Sequence, residues 1–290
     1  MQDTHQQRDP QSTTVVPEKR VPPAYYRTLV TSGHAPVNGF QMYYEIHGTG
    51  PGRPLVIIHP ARGTANVFPS LARNRRLVAL ELRGHGRSTD IDRPFTFEQQ
   101  ADDIAALLRY LEIDRADFFG DSSGGLLAVM MAVRCPELVG RIVSYGGPFA
   151  PRPVGSAEQA AATQPPGAYP FQFAREGYER VAPDPSQWPV LCRKVGEMQW
   201  KGFSEKELRC IVAPVLIASG DHDMVPPESS IEAARLIPNA QLAIIPGASH
   251  FVLSADPDKL LPVVGAFLEE AATDIPFGTT QTGYHPGVTR

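Results

Sequence analysis

Ala116-Asp117-Phe118-Phe119-Gly120-Asp121-Ser122-Ser123-Gly124-Gly125-Leu126 runs from a short apolar stretch into an apolar helix with no spacer between them. Ala116 to Gly120 reads as a buried strand. Gly124 to Val133 reads as an almost wholly apolar helix, stopped before Pro136. The turn that joins them is G-x-S-x-G, and its spacing has a steric cause. A residue on so tight a strand-to-helix turn has a strained backbone, and side chains two positions before and after it would collide. Only Ser122 has glycine at both offsets. Ser123 would have Asp121 and Gly125, and Asp121 would have Phe119 and Ser123. Ser122 is therefore the candidate nucleophile, and an aspartate nucleophile at this turn is disfavoured. The helix start also points N–H groups and the positive end of a dipole at the same spot. The N–H of Ser123 is the first candidate oxyanion donor.

Outward from this turn, apolar runs alternate with helical patterns. Phe40 to Ile46, Leu55 to His59, Leu77 to Leu82, Ile142 to Tyr145, Val215 to Ala218 and Leu242 to Ile245 read as further strands. Thr96 and Gln99 predict a capping box, ahead of Ile104, Leu108 and Leu111 at helical spacing. Short apolar strands alternating with helices imply an α/β fold, a mostly parallel sheet flanked by helices. Residues 148–213 interrupt the alternation. They are Pro-rich at first, then helical with many aromatics, and read as a small lid insertion. The core is then 25–147 and 214–273. Residues 1–24 and 274–290, rich in polar residues and proline, read as flexible arms.

The totals fit one large α/β domain with an insertion, or two ordinary domains. The chain has 290 residues, 42% of them hydrophobic, and a net charge of -4. An acidic balance excludes nucleic acid as the main partner, and the short basic run Arg73, Arg75 and Arg76 reads as a solvated face. No apolar stretch is long enough to span a membrane, and Met1 to Arg20 has no signal-peptide core. Cytoplasm is the default location. Cys135, Cys192 and Cys210 match no zinc spacing and read as reduced thiols.

A serine nucleophile needs a base. Among eight histidines, His5 and His285 lie in the arms, and His34 and His47 near the early strands. His250, in Gly247-Ala248-Ser249-His250-Phe251, follows a strand at the edge where ligands bind in open α/β sheets. The orienting acid is expected after the preceding strand, where Ser219-Gly220-Asp221-His222-Asp223 offers Asp221 and Asp223. Consecutive residues seldom aim at one ion, so this run implies no metal. The second oxyanion donor is expected in the loop His59-Pro60-Ala61-Arg62. Pro60 has no N–H, which leaves Ala61.

Taken together, the His59 loop, Arg83-Gly84-His85-Gly86-Arg87-Ser88, the Ser122 turn, Gly220 to Pro226 and the His250 segment resemble the α/β-hydrolase superfamily over roughly residues 27–271. The lid sequence Ala182-Pro183-Asp184-Pro185 is similar to that of small bacterial esterase-like members. The resemblance selects Asp223, three residues before Pro226, as the acid. It implies a Ser122–His250–Asp223 triad, without metal or organic cofactor, cleaving a small-molecule ester or lactone. Carbon–carbon or enol-lactone hydrolysis uses the same triad. A ligand receptor of the same fold with weak turnover is the alternative from another class. Two departures stand out: Pro60 where the family has Gly, and Glu81 where it has Asp. Arg83, His85 and Ser88 read as loop structure. The insert aromatics Tyr169, Phe171, Phe173, Tyr178, Trp188, Trp200 and Phe203 are each read first as packing.

Overall fold

A computed structural model describes residues 23–58, 62–149 and 171–269. Both arms, apart from Pro23 and Ala24, lie outside them, as do residues 150–170 of the insertion and the segment His59-Pro60-Ala61.

Eight strands form one sheet: β1 (Leu29–Val37), β2 (Phe40–His47), β3 (Gly52–Ile58), β4 (Arg75–Leu80), β5 (Ala116–Asp121), β6 (Val139–Tyr145), β7 (Val215–His222) and β8 (Ala240–Ser249). Their spatial order is β1-β2-β4-β3-β5-β6-β7-β8. β1 and β2 run antiparallel to their neighbours, and all pairs from β4 to β8 are parallel.

The strand pleat sorts the apolar residues onto two faces. Val56, Ile58, Val78, Leu80, Phe118, Ile142, Val215 and Ile217 enter one core cluster. The alternate residues Leu55, Ile57, Leu77, Ala79, Phe119, Val143, Leu216 and Ala218 enter the other. The first face is covered by α3 (Phe97–Tyr110), α4 (Ser123–Arg134) and α8 (Pro227–Leu236). The second is covered by α2 (Phe68–Leu71), α9 (Val252–Ala255) and α10 (Leu261–Glu269), with Tyr25 of α1 (Pro23–Thr28). Burial on both faces is why the central strands read as continuous apolar runs. It also explains α4, which is apolar nearly all round because it is buried from Gly124 to Ala132.

Between β6 and β7 come α5 (Phe171–Glu179), α6 (Trp188–Glu197) and α7 (Glu205–Arg209), with no strand among the described residues. Buried Lys194 of α6 donates to Asp90 Oδ2 at 2.6 Å and to the Ile91 carbonyl at 2.7 Å, which ties the insertion to the loop after β4. Of the aromatics expected to pack, Tyr169 and the side chains of Phe171 and Phe173 lie outside what is described, and the other four pack. Tyr178 meets Trp188, and Trp200 meets Phe97 and Phe203 while donating its indole N–H to the Pro148 carbonyl.

Four local readings change. β1 was not expected, because Leu29–Val37 contains Gly33 and Pro36 and is exposed over much of its length. It is held by its ladder to β2 across the turn Asn38-Gly39, both residues with positive φ (47° and 91°). Asn-Gly between alternating apolar residues is a strong hairpin signal. β7 and β8 also extend beyond their apolar cores, to His222 and Ser249, which still pair with each other. Only half the capping box forms. Thr96 accepts from the Gln99 N–H, but the Gln99 side chain accepts from Arg83 instead. Finally, Arg75 is not a solvated residue. It bonds buried Asp117 at 3.1 Å and the Leu268 carbonyl at 3.1 Å.

Candidate active site

Ser122 caps α4 with φ 54° and ψ -125°, one of three non-glycine residues with positive φ among those described. Gly120 and Gly125 are required by contact. A Cβ on Gly120 would lie 2.1 Å from the Gly124 carbonyl oxygen, and one on Gly125 would lie 2.5 Å from Ser144 Oγ. The strained turn is closed by the Ser122 N–H, which donates to the Tyr145 carbonyl at 2.8 Å. Ser123 is the first residue of α4, where N–H groups have no acceptor within the helix.

His250 follows β8, and Asp223 follows β7. The His250 Nδ1 lies 2.7 Å from Asp223 Oδ1, with both side chains almost wholly removed from solvent. Asp223 Oδ1 also accepts from the Val225 N–H at 2.9 Å, while its Oδ2 is buried without a partner among the described residues. With Nδ1 engaged, Nε2 is the ring atom left for proton exchange. The competing Asp221 is turned outward. It pairs with exposed His222 at 3.1 Å and takes no part in this contact.

Two residues that sequence reasoning missed hold these parts together. Tyr145, whose carbonyl receives the Ser122 N–H, donates its hydroxyl to the Ser249 carbonyl at 2.7 Å, next to His250. Burial pushes its phenol well above the ordinary range, with Asp223 adding to the shift, so it stays a neutral donor. Gly146 then passes with φ 58° directly under the pair. A Cβ there would lie 2.9 Å from Asp223 Oδ2 and 3.0 Å from His250 Nδ1. The Gly146-Gly147 pair after a strand was the available signal, since such glycines mark close backbone approach.

The described geometry thus gathers Ser122, Ser123, Asp223 and His250 at the C-terminal edge of the parallel strands, while Ala61 lies outside the described residues. A model of the alpha/beta hydrolase family matches residues 46–263. The chain belongs to that family. A 2-hydroxymuconate semialdehyde hydrolase from a Pseudomonas species is 26% identical over 256 residues, covering 78% of this chain and 90% of that protein. The enol-lactonase of Burkholderia xenovorans superposes with a TM-score of 0.64 at 25% identity, covering 82% of this chain and all of the other. A meta-cleavage product hydrolase from Pseudomonas fluorescens gives 0.68 at 23% identity, over 82% and 97% of the two chains, and shares the fold.

In this alpha/beta hydrolase the Arg83-to-Ser88 segment braces the loop after β4. Arg83 is fully buried, donates to Asp90, Gln99 and the carbonyls of Arg93 and Pro94, and stacks on Phe95. His85 donates its Nδ1–H to the Arg83 carbonyl, and burial pushes its imidazole down toward the neutral form. Ser88 donates to the Glu81 carbonyl. Glu81, the departure from the family's Asp, accepts from the Arg87 N–H. A Cβ on Gly86 would lie 2.3 Å from its carboxylate, so the longer acid fits against glycine.

Proposed function

We propose that this protein is a serine hydrolase that cleaves a carboxylic ester or lactone through Ser122, His250 and Asp223. The observation that carries the reading is the His250–Asp223 pair on the same sheet edge as a serine at positive φ, with glycine two residues to either side of it in the chain. Strain of this kind persists only where the surrounding structure enforces it, and it clusters at functional sites.

In the proposed reaction Ser122 Oγ attacks the carbonyl carbon as its proton passes to His250 Nε2. Asp223 fixes the Nδ1–H tautomer and stabilises the imidazolium. The N–H groups of Ser123 and Ala61 take the oxyanion. Collapse breaks the bond to the alcohol, which leaves with the His250 proton. Water, deprotonated by His250, then releases the acid and restores Ser122. The helices between β6 and β7 act as the lid over this edge.

The Pseudomonas relative favours a second reading. 2-Hydroxymuconate semialdehyde, the substrate in its name, contains no ester linkage. The same serine would then serve hydrolysis of a carbon–carbon bond. A panel of nitrophenyl esters of rising acyl length separates the readings. Rapid multiple turnover that vanishes in Ser122→Ala supports the esterase. No turnover by folded wild type, with a dienoate ketone cleaved instead, supports the second. A single slow acylation is what a hydrolase-fold receptor would give.

A further inference from the structure

Asp121, one residue before Ser122, is a second carboxyl at this edge. The β5 pleat places it on the same face as Phe119, the face that also carries Tyr145, Ala248 and Val252. It pairs in register with Tyr145, whose hydroxyl reaches Ser249, and His250 lies between Ala248 and Val252. Asp121 is half-buried at the C-terminal end of β5, the residue next to Ser122 in the chain. Among the described residues it enters no ion pair.

We propose that Asp121 is a specificity-determining residue, a carboxyl that makes the cleft beside Ser122 negative and so discriminates against anionic acyl groups in favour of neutral or cationic ones. The proposal rests on the reading of Ser122 as nucleophile. The charged and titratable groups that face it are few. His250 and Tyr145 adjoin it, and Asp223 lies beyond His250 and is bonded to it. Asp221 and His222 pair with each other in solvent. Asp223 is committed to His250, which leaves Asp121 as the carboxylate able to meet a substrate charge. A charge a few ångströms from a substrate carboxylate in a partly wet cleft is worth about a five- to tenfold discrimination. Burial raises the Asp121 carboxyl from 3.8 to about 6, and His250 acts against that rise. The discrimination therefore fades as pH falls through 6.

The test compares three nitrophenyl esters of matched length: pentanoate, the glutarate half-ester and 4-(trimethylammonio)butanoate. The ratio of kcat/KM between two esters cancels any pH dependence that both share and keeps the one specific to the substrate charge. Wild type is expected to disfavour the glutarate half-ester, with its ratio to pentanoate rising about fivefold from pH 7.5 to 5.5. In Asp121→Asn the ratio is high at both pH values, and the preference for the cationic ester is lost. Equal, pH-independent ratios in the two proteins overturn the proposal. Carbon-13 NMR of the Asp121 carboxyl, identified by its absence from Asp121→Asn, reads the same group without turnover. A midpoint near 6 supports the loss of discrimination in acid, and one at 4 or below overturns that pH dependence. Absence of any ester turnover from folded wild type would instead sink the esterase reading, and with it the role given to Asp121.

Discussion

Arg83 and Asp223 are both fully buried charged side chains at the C-terminal ends of parallel strands, yet their surroundings are built to opposite ends. Arg83 gives hydrogen bonds to four acceptors, lies 3.7 Å from Asp103 and stacks on Phe95, and the Asp90 it binds is also bound by Lys194. Asp223 has one oxygen shared by His250 and Val225 and the other without a partner among the described residues. A densely bonded charge specifies one arrangement of the chain around it. A sparsely bonded one keeps its field for a neighbour, here an imidazole that would take up a proton. Glu45 belongs with Arg83. Burial alone would raise its carboxyl, but hydrogen bonds from His47, Tyr25, Tyr43 and Arg87 outweigh that and hold it well below the usual range.

The sharpest way to break this contrast is to delete groups on each side of it and separate activity from stability. Ser122→Ala is expected to lower kcat by about 10⁴-fold or more while leaving the melting temperature nearly unchanged, read by ester turnover beside calorimetry. Arg83→Met should do the reverse. It takes one cation from Asp90, still held by Lys194, and from Asp103, still held by Asn38 and Arg93, and leaves the Arg93 and Pro94 carbonyls without their donor; a cost of about 3 kcal/mol in urea unfolding is expected, with the protein that remains folded still active. Gly120→Ala forces a Cβ into the Gly124 carbonyl, and a loss of about 3 kcal/mol is expected.

The smallest effect concerns Asp121. Its carboxyl lies at about 6 in the folded protein against an ordinary 3.8, so the native state binds that proton more tightly than the unfolded chain does. The stability tied to it is complete below pH 3.8 and is lost as pH rises through 6. Asp121→Asn should therefore raise the melting temperature at pH 8 and leave it unchanged at pH 4. A gain of equal size at both pH values would show that the effect is packing and not charge.

What could be read from the chain follows the same division. β3, β5, β6 and the turn at Ser122 were legible because burial on both faces writes apolar runs, and because glycines at fixed offsets are a steric demand that sequence records. The place of His250 just after a strand, at the edge where β5 and β7 also end, was legible in its sequence context. The choice of Asp223 over Asp221 came from resemblance, and the 2.7 Å contact gives it a geometric basis. β1 was hidden because its stability lies in backbone pairing with β2 and not in side-chain burial. Tyr145 was hidden because its carbonyl and hydroxyl bind segments some twenty and a hundred residues away, Ser122 and Ser249. The fate of Gln99 was hidden likewise, since its capping partner is displaced by Arg83 from another loop.

The central claim is that the strained serine at the sheet edge is the reactive group, and a fluorophosphonate tests it without any assumption about substrate. Intact-protein mass spectrometry after treatment is expected to show one adduct, mapped to the peptide containing Ser122. The adduct should be absent from Ser122→Ala and much slower to form in His250→Ala. No adduct on folded protein, or one that persists in Ser122→Ala, would contradict the account.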